Sequence, residues 1–294
     1  MKVAIHGQFY KESTQPYIEE LLDLLDANND TVFFEEDFYD LLKFNIKTLT
    51  DYKTFSSYNE LDKTFDIFIT LGGDGTILRA TTFIRDLGIP ILGINVGRLG
   101  FLATIQKNEI KLALENIRTN NYSISERSLL KVSVSPAISA MKDLGFALNE
   151  VTVGRKNTTA MVSVETHLDK EKLTSYWADG LIVATPTGST GYSLSCGGPV
   201  VTPGAKSIII TPIAPHNLTA RPLVIPDEIR IELKVNSREK EALLSLDSRT
   251  YTITNDTEIV VERADFTIKL IQLPNKSFLK TIRKKLLWGV DRRN

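Results

Sequence analysis

Four short runs near the start of the chain are apolar without alternating: Lys2 to Gly7, Thr31 to Phe34, Asp66 to Leu71 and Ile89 to Asn95. A strand apolar at consecutive positions must be covered on both faces, which is the condition of a parallel strand between helices. The intervening sequence supplies those helices. Ile18, Leu21, Leu22 and Leu25 fall at i, i+3, i+4 and i+7, one stripe of a helix. A second helical stretch through Ile77, Ala80 and Ile84 joins the last two runs. The pattern predicts an α/β N-terminal domain, a Rossmann-like open sheet, over residues 1–104. Lys43 to Lys63 is polar and weakly patterned and reads as a mobile surface connection.

Beyond a plausible amphipathic helix at Asn108 to Ile117, the period changes from 3.6 to two. Leu130 to Val134, Met161 to Glu165 and Ile229 to Val235 alternate as half-buried antiparallel strands do. Residues 105–272 therefore read as a β-rich, β-sandwich C-terminal domain. The last 20 residues carry seven Lys or Arg and one Asp, with Phe278, Ile282 and Leu286 at helical spacing. Such a segment, 273–294, is expected to pack its apolar stripe back on the N-terminal domain and leave a solvated basic face.

Composition narrows the function by exclusion. Thirty-five basic against 36 acidic residues leave no global charge to draw the chain to nucleic acid or anionic lipid. The start lacks the long apolar core of a signal peptide, and no run of about 18 apolar residues offers a membrane span. Cys196 is the only cysteine. That rules out an intrachain disulfide or a cysteine-rich zinc site and suits a cytoplasmic protein. His6, His167 and His216 share no metal-ligand spacing.

Chemistry concentrates first in Leu71-Gly72-Gly73-Asp74-Gly75-Thr76, directly after a predicted strand. Gly72, Gly73 and Gly75 permit positive φ and let backbone N–H groups approach a ligand, and the helix expected from about Thr76 adds its dipole. Phosphate suits such a turn; a carboxylate in it does not, unless Asp74 faces a hydroxyl and accepts its proton. The plainer alternative is Asp74 as a helix N-cap. Two other glycine-rich stretches fail as nucleotide motifs. Gly93 to Gly100 lacks the dinucleotide spacing, and in Gly204-Ala205-Lys206-Ser207 an alanine separates glycine from lysine.

A second segment, Asp179-Gly180-Leu181-Ile182-Val183-Ala184-Thr185-Pro186-Thr187-Gly188-Ser189-Thr190-Gly191-Tyr192, gathers hydroxyls, glycines, a carboxylate and an aromatic ring. Together with Leu71 to Thr76, Asn95 to Leu102, Glu126 to Leu130, Asn149-Glu150 and Thr211 to Leu218, it closely resembles the NAD kinase family. The resemblance implies transfer of the γ-phosphoryl of ATP to the adenosine ribose 2′-hydroxyl of NAD(H), with Asp74 as general base. It implies Mg²⁺ arriving with ATP rather than in a protein cage, and the Gly72, Gly73 and Gly75 backbone on the phosphates. By the same likeness Asn149 and Glu150 clamp a ribose, Asp179 holds the nicotinamide end, and Ser189, Thr190 and Tyr192 surround adenine and phosphates. Phe101 lies near the adenine pocket, Asp247 sits at the substrate end, and the dinucleotide site falls between the domains. The loop of His216 matches one that shapes the fold and subunit contacts, and the expected assembly is a homo-oligomer, a tetramer. The expected partners are thus small molecules, not nucleic acid or membrane.

Two departures stand out. Gly191 replaces the Ala usual before the Tyr, which loosens the turn, and Asp247-Ser248-Arg249 replaces Asp-Gly-Gln. Arg249 thereby puts the choice between NAD and NADH in doubt. A lipid kinase could share the glycine turn but leaves Asn149-Glu150 and Thr185 to Tyr192 unexplained. A non-catalytic dinucleotide sensor would have no use for a base-like carboxylate in a phosphate turn.

Overall fold

The structure, a computed structural model, describes residues 1–46, 49, 51–157 and 160–289. The chain forms two compact units. One comprises Met1–Glu126 and the C-terminal stretch from Ile268 onward, the other Arg127–Thr267.

In the first unit β1 (Lys2–Gly7), β2 (Thr31–Glu35), β3 (Lys53–Phe55), β4 (Ile67–Gly72) and β5 (Ile91–Asn95) are parallel, in the order β3-β2-β1-β4-β5. Both faces are covered, as the unbroken apolar runs require. Ile67, Ile69 and Leu71 of β4 share a core with Ile18, Leu21, Leu22 and Leu25 of α1 (Gln15–Asp26) and with Phe38 and Leu42 of α2 (Glu36–Asn45). On β4's other face Phe68 meets Phe55 edge-on, which in turn meets Phe83 of α3 (Asp74–Ile84). The strand order reverses between β1 and β4. Their C-terminal ends, Gly7 and Gly72, therefore flank the crevice where open α/β sheets take ligands.

Two expectations for this unit need correction. It does not end near residue 104: β6 (Ile105–Gln106) pairs with β5, and α4 (Ile110–Arg118) buries Ala113, Leu114 and Ile117 in the same core as α1. Nor is Lys43 to Lys63 merely a surface connection. Residues 43–45 belong to α2, and β3 adds to the sheet edge with Phe55 buried. An edge strand anchored by one aromatic leaves no periodicity to read. Residues 47, 48 and 50 of that stretch lie outside the described residues.

The second unit is antiparallel. Its strands are β7 (Ser123–Ser135), which begins in the first unit, β8 (Phe146–Ala147), β9 (Glu150–Arg155), β10 (Val162–Leu168), β11 (Glu171–Ala178) and β12 (Gly180–Ala184). After the short α5 (Tyr192–Ser195) come β13 (Ser207–Ile213), β14 (Leu223–Pro226), β15 (Ile231–Ser237), β16 (Glu241–Leu246), β17 (Arg249–Thr254) and β18 (Glu258–Gln272), which ends in the first unit. One sheet runs β14-β13-β12-β9-β16-β17 and a second layer runs β11-β10-β15-β18. Val151, Val153, Leu181, Val183, Leu244 and Leu246 of the first pack with Val162, Val164, Leu233, Val235 and Ile259 of the second. Alternate residues thus make a sandwich core. β12 is the exception, buried at every position. Ile182 and Ala184 turn the other way, onto Cys196 and Val201.

In the first unit α6 (Phe278–Leu286) buries Thr281 and Ile282, and Lys276 just before it pairs with Glu109 at 2.7 Å. No helix among the described residues is long and apolar enough to cross a membrane.

Candidate active site

The glycine turn is built differently from its sequence reading. α3 begins at Asp74, not Thr76, with Gly73 as an extended N-cap at φ −103°. None of Gly72, Gly73 and Gly75 has positive φ. Gly72 is a glycine for space: a Cβ there would lie 2.0 Å from Thr76 Oγ1. Gly73 and Gly75 are exposed, and a Cβ on either would meet nothing within 4 Å. Their bareness uncovers the first N–H groups of α3, which have no partner inside the helix and suit an anion.

Asp74 does not cap that helix. Its Oδ2 accepts the Phe101 N–H at 2.7 Å, and its Oδ1 accepts the N–H groups of Leu102 and Ala103, each at 3.0 Å. A carboxylate has about four lone-pair positions. Three are filled, so the one left for a further partner is on Oδ2. Gly100 packs tightly enough that a Cβ would fall 1.8 Å from Asp74 Oδ1. Phe101 thus meets Asp74 through its backbone, while Lys285 Nζ stands 5.3 Å over its ring.

Beside the turn, a cleft of about 320 Å³ is lined by His6, Gln8, Glu35 and Arg79, among others. His6 Nδ1 and Glu35 Oε2 are 3.3 Å apart, and both residues are buried. Burial opposes the Glu35 charge, yet the His6 contact and the Phe38 N–H outweigh it and hold this carboxyl below its usual range. His6 Nε2 has no hydrogen-bond partner within the protein.

In the second unit Asn149 and Glu150 stand at the start of β9, where three donors fix the backbone. Asp247 accepts the N–H groups of Leu148 at 2.9 Å, Asn149 at 2.8 Å and Glu150 at 3.3 Å. It sits in the turn between β16 and β17 at φ 51°, a conformation Asp tolerates better than most residues. Burial and the Asp247 charge push Glu150 up to about 7, against the weaker pull of the Tyr192 N–H. Glu150 Oε2, Asn149 Oδ1 and Thr187 Oγ1 are buried without a hydrogen-bond partner in the protein. Each such atom costs about 1–3 kcal/mol when nothing answers it. Native proteins keep few of them, and here three lie on or near one pair of residues.

Gly191 does more than loosen a turn. A Cβ at this position would lie 2.9 Å from Glu150 Oε2 and 3.5 Å from Asn149 Nδ2, so its absence opens the space beside both side chains. Gly188 is equally constrained, since a Cβ would lie 2.1 Å from the Asn149 carbonyl oxygen. Ser189 is fully buried and spends its hydroxyl inside the turn, donating to Pro186 O and accepting from Val201 N. Thr190 Oγ1 returns to Thr187 O at 3.2 Å. Tyr192, by contrast, is 46% exposed. With Arg155 and Asp179 it lines a cleft of about 290 Å³, in which Arg155 pairs with Asp179 at 3.0 Å. Arg155 and Thr187 escaped the sequence reading, because one strand-end arginine and one more hydroxyl in a hydroxyl-rich segment give no pattern.

Arg249 takes a different part from the one its position suggested. Its guanidinium donates to the carbonyls of Leu144 and Phe146, lies 5.1 Å from the Phe146 ring, and stands 3.9 Å from Asp247. We expect Arg249→Met to destabilise this unit by about 1–3 kcal/mol in urea unfolding, the cost of orphaned buried acceptors.

Comparison with known proteins agrees with both halves. Residues 3–122 match the model of the ATP-NAD kinase N-terminal domain, and residues 148–273 that of the ATP-NAD kinase C-terminal domain. The chain is 57% identical to the NAD kinase of Christiangramia forsetii and 54% identical to that of Flavobacterium johnsoniae, over the full length of each. Among solved structures it resembles an Archaeoglobus fulgidus NAD kinase in complex with ATP, at 28% identity and TM-score 0.72, covering 97% of both chains. Yeast NADH kinase complexed with NADH shares the fold, at 24% identity and TM-score 0.89, over 99% of this chain and 88% of the other.

Proposed function

The chain belongs to the NAD kinase family, and on that premise we propose that it moves the γ-phosphoryl of ATP to the adenosine ribose 2′-hydroxyl of NAD or NADH. The observation that carries this reading is the single lone-pair position left on Asp74 Oδ2 at the bare N-terminus of α3. An alcohol attacks phosphorus well only as its proton leaves, and a fixed carboxylate oxygen with one open position is a directed acceptor for it. The N–H groups at Gly73, Asp74 and Gly75 take the phosphate oxygens whose charge changes in transfer.

Each remaining residue has a defined task. Asn149 and Glu150 clamp ribose hydroxyls, which supply the partners that Asn149 Oδ1 and Glu150 Oε2 lack in the protein. Asp247 holds their backbone, Asp179 with Arg155 receives the nicotinamide end, and Tyr192 borders the adenosine. Ser189 and Thr190, their hydroxyls used internally, shape the wall through the turn they brace. The nucleoside triphosphate lies in the crevice at the ends of β1 and β4, near Arg79.

Magnesium fits as a passenger on ATP. It keeps most of its waters and needs only phosphate oxygens and one or two carboxylates. Its chemistry would be charge neutralisation on the phosphates. A cytosolic homotetramer completes the reading, on the strength of the family likeness.

The test is product analysis. Purified protein with ATP, Mg²⁺ and NAD or NADH should yield NADP or NADPH. Phosphate appearing only on a lipid alcohol offered in parallel, or NAD bound with no product, would overturn the proposal.

A further inference from the structure

Asp74 is oriented by a loop, and the loop is oriented by one buried amide. Asn95, the last residue of β5, is 1% exposed. Its Oδ1 accepts the Gly97 N–H at 2.8 Å, and its Nδ2 donates to Arg98 O at 2.8 Å and to Ala103 O at 3.4 Å. The side chain therefore ties the start of segment 96–103 to its end. Only an amide of this length offers an acceptor and two donors at one point.

The segment so closed is the one whose N–H groups at Phe101, Leu102 and Ala103 grip the Asp74 carboxylate. Ala103 takes part in both sets: its carbonyl meets Asn95 and its N–H meets Asp74. Outside those bonds the C-terminal part of the loop is held by burial of Gly100, Leu102 and Ala103, and its N-terminal part is not. Gly97 and Arg98 are exposed, and Lys285 of α6 donates to Leu99 O at 2.6 Å from an exposed position. Asn95 is the buried, multiply bonded anchor.

We infer that Asn95 is a positioning residue for phosphoryl transfer, fixing through segment 96–103 the direction of the open Asp74 Oδ2 lone pair. The inference rests on Asp74 being the base. It assigns Asn95 no contact with substrate, so its loss should act on turnover rather than binding.

A double-mutant cycle on the full chain tests this. Asn95→Ala and Asp74→Asn are made singly and together, with kcat and the KM for NAD and for ATP measured on each, and with amide exchange followed at Phe101 to Ala103. Asn95→Ala should lower kcat about 10²-fold, the usual scale for a reacting group displaced by an ångström. The KM for ATP should hold, the KM for NAD should change far less than kcat, and exchange at the three amides should quicken. In the Asp74→Asn background the same change should cost nothing further. Should Ala leave the chain unfolded, Asn95→Asp keeps the shape and the Gly97 bond while losing both donations, and the cycle is read on it.

Wild-type kcat in a folded Asn95 variant would overturn the inference, and so would an equal loss in both backgrounds. If Asp74→Asn is slow and Asn95→Ala is not, the positioning role alone fails. If Asp74→Asn itself turns over at the wild-type rate, the base fails, and the positioning role with it.

Discussion

Asp74→Asn should cut kcat for NAD phosphorylation by about 10²- to 10⁴-fold, the general-base contribution, while the dinucleotide still binds. Asparagine keeps the shape and removes the proton acceptor. The structure adds a second consequence. The wild-type carboxylate accepts from three N–H groups, Phe101 on one oxygen and Leu102 with Ala103 on the other. An amide can present an oxygen to only one of these two sides, and its NH₂ must face a donor on the other. Some loosening of segment 100–103 should follow, worth about 1–3 kcal/mol in unfolding. Initial rates, NAD titration and a melting curve on the same preparation separate the two effects. Undiminished kcat would remove Asp74 from the chemistry, whereas lost NAD binding would make it a ligand-holding group instead.

How much of this was legible beforehand depended on whether a feature had a local cause. The parallel sheet was readable because strands covered on both faces must be apolar throughout, and β1, β4 and β5 are buried at nearly every position. The sandwich strands were readable for the opposite reason, their burial alternating as in β15. The glycine turn was found for partly the wrong reason. Gly72 answers to Thr76 four residues on, a contact that depends on how α3 starts, and no glycine of the turn is left-handed. Periodicity predicts α4 as a helix, but its place in the first unit is decided by packing on α1, about 90 residues away in sequence. The same holds at the site. Asp247, Arg249 and Asn95 act through backbone groups of other segments, and backbone partners leave no trace in residue identity. Motif likeness could name the carboxylates and glycines. It could not say that Asp247 is committed to three N–H groups, or that Arg249 is bound to Leu144 and Phe146.

The largest expected effect on stability is that of Glu150→Gln, and it should depend on pH. Burial first and the nearby Asp247 charge second raise Glu150 to about 7 from its ordinary 4.5. Below pH 4.5 the carboxyl is protonated in both folded and unfolded chains. Between 4.5 and 7 the unfolded chain loses this proton and the folded chain keeps it, so the folded state binds more protons and stability falls as pH rises. The slope approaches about 1.4 kcal/mol per pH unit and totals roughly 3 kcal/mol by the time pH has passed 7. A glutamine side chain cannot ionise, so the variant should gain on the wild type across that window and hold a constant advantage above it. Urea unfolding of both chains at several pH values reads the difference directly; parallel stability curves would mean that Glu150 titrates normally. Function bears the opposite sign. A ribose hydroxyl donating to this carboxyl favours its ionised form, so NAD should bind more tightly as pH rises toward 7, level off above it, and release protons as it binds below it. Calorimetry in two buffers of different ionisation enthalpy would register that release in the wild type and its loss in Glu150→Gln. On the proposed reading, a carboxyl that costs the fold near neutral pH is one the substrate relieves, in keeping with a buried, unpartnered Oε2 beside a glycine that keeps its approach open.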